Sequence, residues 1–164
     1  MGDPALRKVC KSVSGVTVHI IKILDDMKET LAAANNGAAL AAPQVGILKK
    51  IVVIDSGEGM IELINPEIVA KSGEQLGAEA CLSIPGIWGR VKRANYVKVK
   101  ALNRAGEEFV IEGEEFMARC LQHEIDHLSG ILFIDHVSPG EIFNEVTNDP
   151  LNIYELLKAS KANL

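Results

Sequence analysis

The sequence predicts an α+β fold: mainly antiparallel sheets packed around one histidine-bearing helix, with an N-terminal helix before them and a helical C-terminal tail after them. Three observations carry this expectation. Ile20, Leu24, Met27 and Leu31 recur at about one helical turn, with Ile23 beside them, and so mark one buried helix face. Phe116, Cys120, His123 and His127 mark a second helical stripe. Between them the period drops to two: in Tyr96–Ala101, Val97, Val99 and Ala101 share one side. Strands gathered in the middle with helices outside predict antiparallel pairing rather than alternating parallel units.

Taken in order, residues 1–15 read as an ordered arm anchored by Pro4, Leu6, Val9 and Val13. A helix follows from Val16 to Ala34 and stops at Asn35-Asn36-Gly37, residue types that accept the left-handed conformation at a helix end. Gly37 to Gly46 is small and apolar with one polar side chain, Gln44, and reads as a tight core turn before a strand at Lys50–Asp55. Residues 61–70 are strand material broken at Asn65-Pro66. Glu79 to Gly86 ends in a turn forced by Pro85 and Gly86. The strand at 96–101 turns at Asn103–Gly106 into a second strand, Glu108–Glu112. The histidine-bearing helix spans Gly113–Leu128 and ends at Ser129-Gly130, and Ile131–Ile134 reads as a short buried strand. Two short helices, Glu141–Val146 and Leu151–Lys161, fill the tail.

Length and composition bound the function. A chain of 164 residues and 17.7 kDa is expected to form one domain, 1–164, with residues 138–164 as a tail of unassigned packing. The 48% hydrophobic content and mean hydropathy of +0.15 suit a packed core. With 22 acidic against 17 basic residues the net charge is −5, which argues against binding DNA through a basic surface. No apolar run approaches the roughly 20 residues of a membrane span. The opening Met1-Gly2-Asp3-Pro4 does not read as a secretory signal. Cysteines at 10, 81 and 120 are too few and odd in number for a disulfide framework, and fit a reducing compartment.

Gln122-His123-Glu124-Ile125-Asp126-His127 contains the pattern H-E-x-x-H. Residues four apart on a helix share a face, so His123 and His127 can hold one metal ion from one rigid element. Glu124 lies beside them, placed to handle a proton of a water at that metal. A pair of hydrogen-bonded core histidines is the plain alternative, but it does not account for Glu124 on the same inward face. A catalytic site needs a third protein ligand and an open position. The extended pattern that supplies a third histidine six residues on is absent, since Phe133 stands there. Spacing leaves Cys81 and the later Glu141 and Glu145 open as third ligands. Cys120 reads better as a buried core thiol.

Three segments together resemble the peptide deformylase family. Gly37-Ala38-Ala39-Leu40-Ala41-Ala42-Pro43-Gln44 is similar to its G-x-G-L-A-A-P-Q, Glu79-Ala80-Cys81-Leu82-Ser83 to E-G-C-L-S, and Gln122–His127 to Q-H-E-x-D-H. The opening Gly2-Asp3-Pro4-Ala5-Leu6-Arg7 and Ile64-Asn65-Pro66 extend the likeness up to about Val137. The resemblance implies Cys81, His123 and His127 as metal ligands, with Glu124 as general acid and base. Gln44 and the backbone N–H of Leu82 would cradle the carbonyl oxygen. Iron(II) is the implied metal, with zinc, nickel or cobalt able to replace it. The implied substrate is the N-formylmethionyl end of a nascent peptide, met near the ribosomal exit tunnel in the bacterial cytoplasm, or in an organelle. That peptide would lie extended along Gly37–Leu40, touching Gly37, Ala39, Leu40 and Ala80. Its side chain would enter a pocket lined by Phe116 and Cys120, with Ile87 and Trp88 nearby. Asp126 is read as a charge partner of Arg93 that steadies the helix.

The sequence departs from the family at two glycines, Ala39 and Ala80. A methyl at either place narrows the groove, and a positive φ there would cost alanine about 1 kcal/mol. Two other readings follow: a metallopeptidase using Glu141 or Glu145, and a low-activity deformylase-like protein that binds peptide N-termini.

Overall fold

The computed structural model describes residues 3–34 and 37–162. Asp3 opens the described chain by accepting from the Ala5 N–H, which caps a 3-10 turn at Pro4–Arg7. Leu6 and Val13 anchor the arm as expected, but Val9 is 71% exposed and anchors nothing. The opening Met1-Gly2 lies outside the described residues. Helix α1 spans Val18–Ala33, capped by the Thr17 hydroxyl, which accepts from Ile20 N–H. Its buried side chains are Ile20, Ile23, Leu24, Met27 and Leu31, the predicted stripe. Of the predicted stop signal, Asn35 and Asn36 lie outside the described residues, and the helix closes at Ala34, whose N–H donates to Leu31 O.

The strands are β1 (Ala39–Ala41), β2 (Ile51–Asp55), β3 (Met60–Ser72), β4 (Gln75–Cys81), β5 (Ile84–Arg93), β6 (Tyr96–Leu102), β7 (Glu108–Glu114) and β8 (Ile142–Asn144). The histidine-bearing helix α2 spans Glu115–His127, and α3 spans Ile153–Ser160. The strands form two antiparallel sheets, ordered β1-β2-β3-β6-β7 and β4-β5-β8. The first sheet lies between two helices, and the residues of β2 show why it reads as an unbroken apolar run. Ile51 and Val53 pack with Leu24 and Leu31 of α1, whereas Val52 and Ile54 pack with Ala118 and Leu121 of α2. The second sheet has its own core of Ile84, Val91, Phe133, Val137, Ile142 and Ile153.

The predicted break at Asn65-Pro66 is a bulge inside one strand, β3. Asn65 takes φ 52 there, and its side chain ties down the arm, accepting from Val13 N–H and donating to Val13 O at 2.8 Å each. Two expectations are corrected. Residues 131–134 form no strand: Phe133–Asp135 is a 3-10 turn, with Leu132, Phe133 and Ile134 still buried. Glu141–Val146 is not helical, because Ile142–Asn144 finds a partner in Ile87–Gly89 and becomes β8. The hairpin β4–β5 was not anticipated as a unit. The last helix stands as α3, capped by Asn152, whose side chain accepts from Tyr154 N–H.

Candidate active site

α2 carries His123 and His127 one turn apart, their rings edge to face with centroids 5.0 Å apart. β4 brings up Cys81 at its last residue, where a register shift between Ala80 and Cys81 turns the strand toward the helix. Cys81 Sγ and one nitrogen of each histidine all lie within 4.8 Å of one another, and all three residues are buried. Cys81 Sγ is 3.4 Å from His127 Nε2. Among the described residues this cluster contains neither Glu141 nor Glu145. Glu141 pairs with Arg90 at 3.3 Å, and Glu145 is exposed at the rim of the cavity described below.

Glu79, on the same face of β4 as Cys81, accepts from His123 Nδ1 at 2.9 Å. That bond leaves His123 Nε2 turned toward the cluster. Glu79 is itself held by Arg93 Nε at 2.8 Å, Arg93 Nη2 at 3.0 Å and Arg119 Nη1 at 2.8 Å. Arg93 reaches on to Asp126, which also accepts from His136 at 2.8 Å. The pairing of Asp126 with Arg93 was anticipated. Glu79, Arg119 and His136 were missed. Their signal was faint: charged residues at inward positions of a strand or helix, whose partners come from remote segments.

Burial alone would raise the Glu79 carboxyl, but the hydrogen bonds from His123 and Arg93 outweigh it and hold it at about 2. Burial opposes protonation of His123, yet hydrogen bonding to Cys81 and Glu79 pushes it up to about 10. His127 falls to about 3 through burial and the neighbouring His123 charge. Glu124 is pushed up to about 7, chiefly by burial. Its Oε2 is buried without a partner, as is His127 Nδ1. Burial also raises the Cys120 thiol strongly, which keeps it protonated.

Gln44 stands in a 3-10 turn, Ala42–Val45. Its Oε1 accepts from Ala41 N–H at 2.8 Å, which fixes the amide so that Nε2 lies 3.6 Å from Cys81 Sγ and 3.2 Å from Ser83 Oγ. Leu82 follows Cys81 in the turn, with its side chain 46% exposed, and its N–H donates to no acceptor among the described residues. A cavity of about 390 Å³ opens over the cluster. Gly37, Ala39, Gln44, Ala80, Cys81, Leu82, Ile87, Phe116, Cys120, His123 and Glu124 are among the residues that line it. Leu40 does not: its side chain packs beneath α1. Trp88 is also elsewhere, stacked on Phe143 at 4.7 Å. Phe116, expected on the inward stripe, is 67% exposed at the mouth. Ala39 and Ala80 lie in extended strands, and neither is among the described residues with positive φ, so alanine is unstrained at both places.

The comparisons agree with this geometry. The sequence profile of the polypeptide deformylase family matches residues 1–142. A peptide deformylase of Desulfitobacterium hafniense is 61% identical over 135 residues, covering 82% of this chain and 89% of the relative. One of Thermoanaerobacter pseudethanolicus is 58% identical, covering 82% of this chain and 84% of the relative. The crystal structure of the Thermotoga maritima peptide deformylase superposes with a TM-score of 0.80 at 42% identity, covering 84% of this chain and 94% of that one. That of the Thermus thermophilus peptide deformylase gives 0.82 at 34% identity, covering 99% and 90%. The profile spans most of the chain and the relatives share its sequence and its architecture: this chain belongs to the polypeptide deformylase family.

Proposed function

We propose that this chain hydrolyses the N-formyl group from the formyl-methionine that begins newly made polypeptides, releasing formate and a free amine. The observation that carries the reading is the convergence of one thiol and two imidazoles beside a buried, partnerless carboxylate oxygen at the floor of a cavity. The donor set fits a divalent metal, since Glu79 orients His123 by its far nitrogen and leaves the near one for the cluster. Sulfur with imidazole suits iron(II), our proposal for the physiological ion, and also zinc, nickel and cobalt. A cation held by Cys81, His123 and His127 would supply Lewis acidity and lower the pKa of a water at its open position to about 7.

The protein groups do the rest. Glu124 takes the proton of the attacking water and passes it to the departing amine nitrogen. Burial raises this carboxyl in the metal-free protein, which strengthens it as a base toward the water proton. Gln44 Nε2 and the unengaged N–H of Leu82 donate to the formyl oxygen as it gathers charge, each worth about 3 kcal/mol in comparable sites. The substrate backbone lies along β1, which among the described residues pairs only with β2 and so leaves one edge open for an added strand. Residues 1–164 work as one unit, since Ile142 and Ile153 of the tail share a core with Cys81. Nascent chains and the exit region of the ribosome are the proposed partners, and the cytoplasm the proposed setting. No helix among the described residues is long and apolar enough to cross a membrane.

The test is formate release from a formyl-Met-Ala-Ser peptide by protein loaded anaerobically with iron(II), beside Glu124→Gln. We expect steady turnover that the variant lowers by about a thousandfold, the middle of the range for losing general acid–base catalysis, while its metal content stays intact. Metal retained with no formate released by the wild type would overturn the reading.

A further inference from the structure

The Gln44 carboxamide is held at both ends. At one end Oε1 accepts from Ala41 N–H at 2.8 Å. A backbone N–H can only donate, so the atom facing it is the oxygen, and the nitrogen is turned the other way. At the other end Nε2 donates to Ser83 Oγ at 3.2 Å. Its second hydrogen is directed at Cys81 Sγ, 3.6 Å away, on the wall of the cavity that Gln44 and Cys81 both line. Ser83 reaches the amide because of the loop it occupies. Cys81 of β4 and Ile84 of β5 are paired across the hairpin, so Leu82 and Ser83 alone connect them. Gln44 stands 39 residues earlier in the chain. Among the described residues its contacts with Cys81 and Ser83 are the only hydrogen bonds that join the turn at 42–45 to this loop. The Ala41 bond by itself leaves the amide free to swing about its oxygen. The two hydrogens of an amide nitrogen share one plane, so fixing one fixes the direction of the other. A hydroxyl rotates to present a lone pair, and that of Ser83 donates to no acceptor among the described residues that would compete with this.

We propose that Ser83 is a positioning residue: its hydroxyl sets the Gln44 amide so that the second Nε2 hydrogen meets the formyl oxygen as charge gathers there. The inference rests on the deformylase reading above and deepens it, since Ser83 acts through Gln44 rather than on the substrate. A donor stabilises a developing oxyanion best when it is already aimed at it, because reorienting it during the reaction costs part of what it contributes. The uncharged carbonyl of the bound substrate gains less from the same aim. Loss of the hydroxyl is therefore felt in kcat rather than in KM. With Gln44 gone the hydroxyl has nothing to orient, and its removal has no further effect. Ser83 is not among the described residues with positive φ, so alanine, threonine and valine are all unstrained there.

The experiment measures kcat and KM on formyl-Met-Ala-Ser for the metal-loaded wild type, Ser83→Ala, Ser83→Thr, Gln44→Ala and the double variant Gln44→Ala/Ser83→Ala. The Gln44 side-chain amide is followed in 1H–15N spectra of the zinc-loaded proteins. We expect Ser83→Ala to lower kcat by about tenfold, the range of one hydrogen bond, with KM unchanged. Ser83→Thr keeps the hydroxyl and should recover most of the loss. Gln44→Ala should cost about a hundredfold, and adding Ser83→Ala to it should cost nothing more. In the spectra the Gln44 amide should move toward the position of a free amide in Ser83→Ala and stay in place in Ser83→Thr. An unchanged kcat in Ser83→Ala would overturn the inference. So would an equal fall in the Gln44→Ala background, or a Gln44 signal that is the same with and without the hydroxyl. Should Ser83→Ala not fold, Ser83→Val against Ser83→Thr, alike in shape, makes the same comparison. Absence of turnover in the wild type would instead overturn the deformylase reading, and this inference with it.

Discussion

Glu79 lies outside the metal cluster, yet it accepts from four N–H groups at once: two of Arg93, one of Arg119 and one of His123. Replacing it with glutamine would leave two buried guanidinium groups short of countercharge. We expect Glu79→Gln to destabilise the fold by about 3–5 kcal/mol and to weaken metal binding by about 10–100-fold. Chemical denaturation and metal titration read the two effects separately. The neighbouring His123 sets a pH rule. Metal-free, it keeps its proton up to about 10, so at neutral pH a metal must displace that proton to bind. The apparent affinity should fall by about tenfold for each unit the pH drops below that value. Calorimetry in buffers of differing ionisation enthalpy would detect the released proton, and an affinity flat between pH 6 and 9 would contradict the assignment.

Among the elements, α1 and α2 were legible because each buries one stripe at helical spacing, a signal that no distant segment has to complete. Tyr96–Leu102 was legible for the same reason at period two: its burial alternates along the strand as the pattern required. The hairpin β4–β5 was not. Pro85 and Gly86 read as a turn and no strand was assigned after them, and Arg93, read only as a partner of Asp126, is also buried against Glu79 of the adjoining strand. An inward arginine becomes intelligible only once its remote carboxylates are known. At the candidate site, the cluster residues and Gln44 could be named from motifs, whereas Arg119 and the wall from Ala78 to Ile87 depend on that hairpin. β8 was misread for a similar reason. It covers Ile87–Gly89 and brings Phe143 onto Trp88, so pairing rather than local preference decides its form. Ending the chain after Ser138 should therefore uncover the second sheet. We expect a lower denaturation midpoint and a red-shifted emission from Trp88, the sole tryptophan. An unchanged midpoint would show the tail to be a passenger.

For the molecule as a whole, Arg7 is the junction. Its guanidinium pairs with Asp135, donates to Gly130 O at 3.3 Å just beyond α2, and donates to Ser160 Oγ at 2.6 Å at the end of α3. Gly130, at φ +72, lets the arm pass so closely that a Cβ there would stand 2.6 Å from Arg7 O. We expect Arg7→Ala to loosen both ends together, with amide exchange at Leu6–Cys10 and in α3 accelerating in step. Loss of protection at one end alone would break the link. The junction also orders events in time. Arg7 is synthesised 153 residues before Ser160. An enzyme proposed to trim other chains while they are still growing thus cannot fasten its own arm until Ser160 has emerged in its turn.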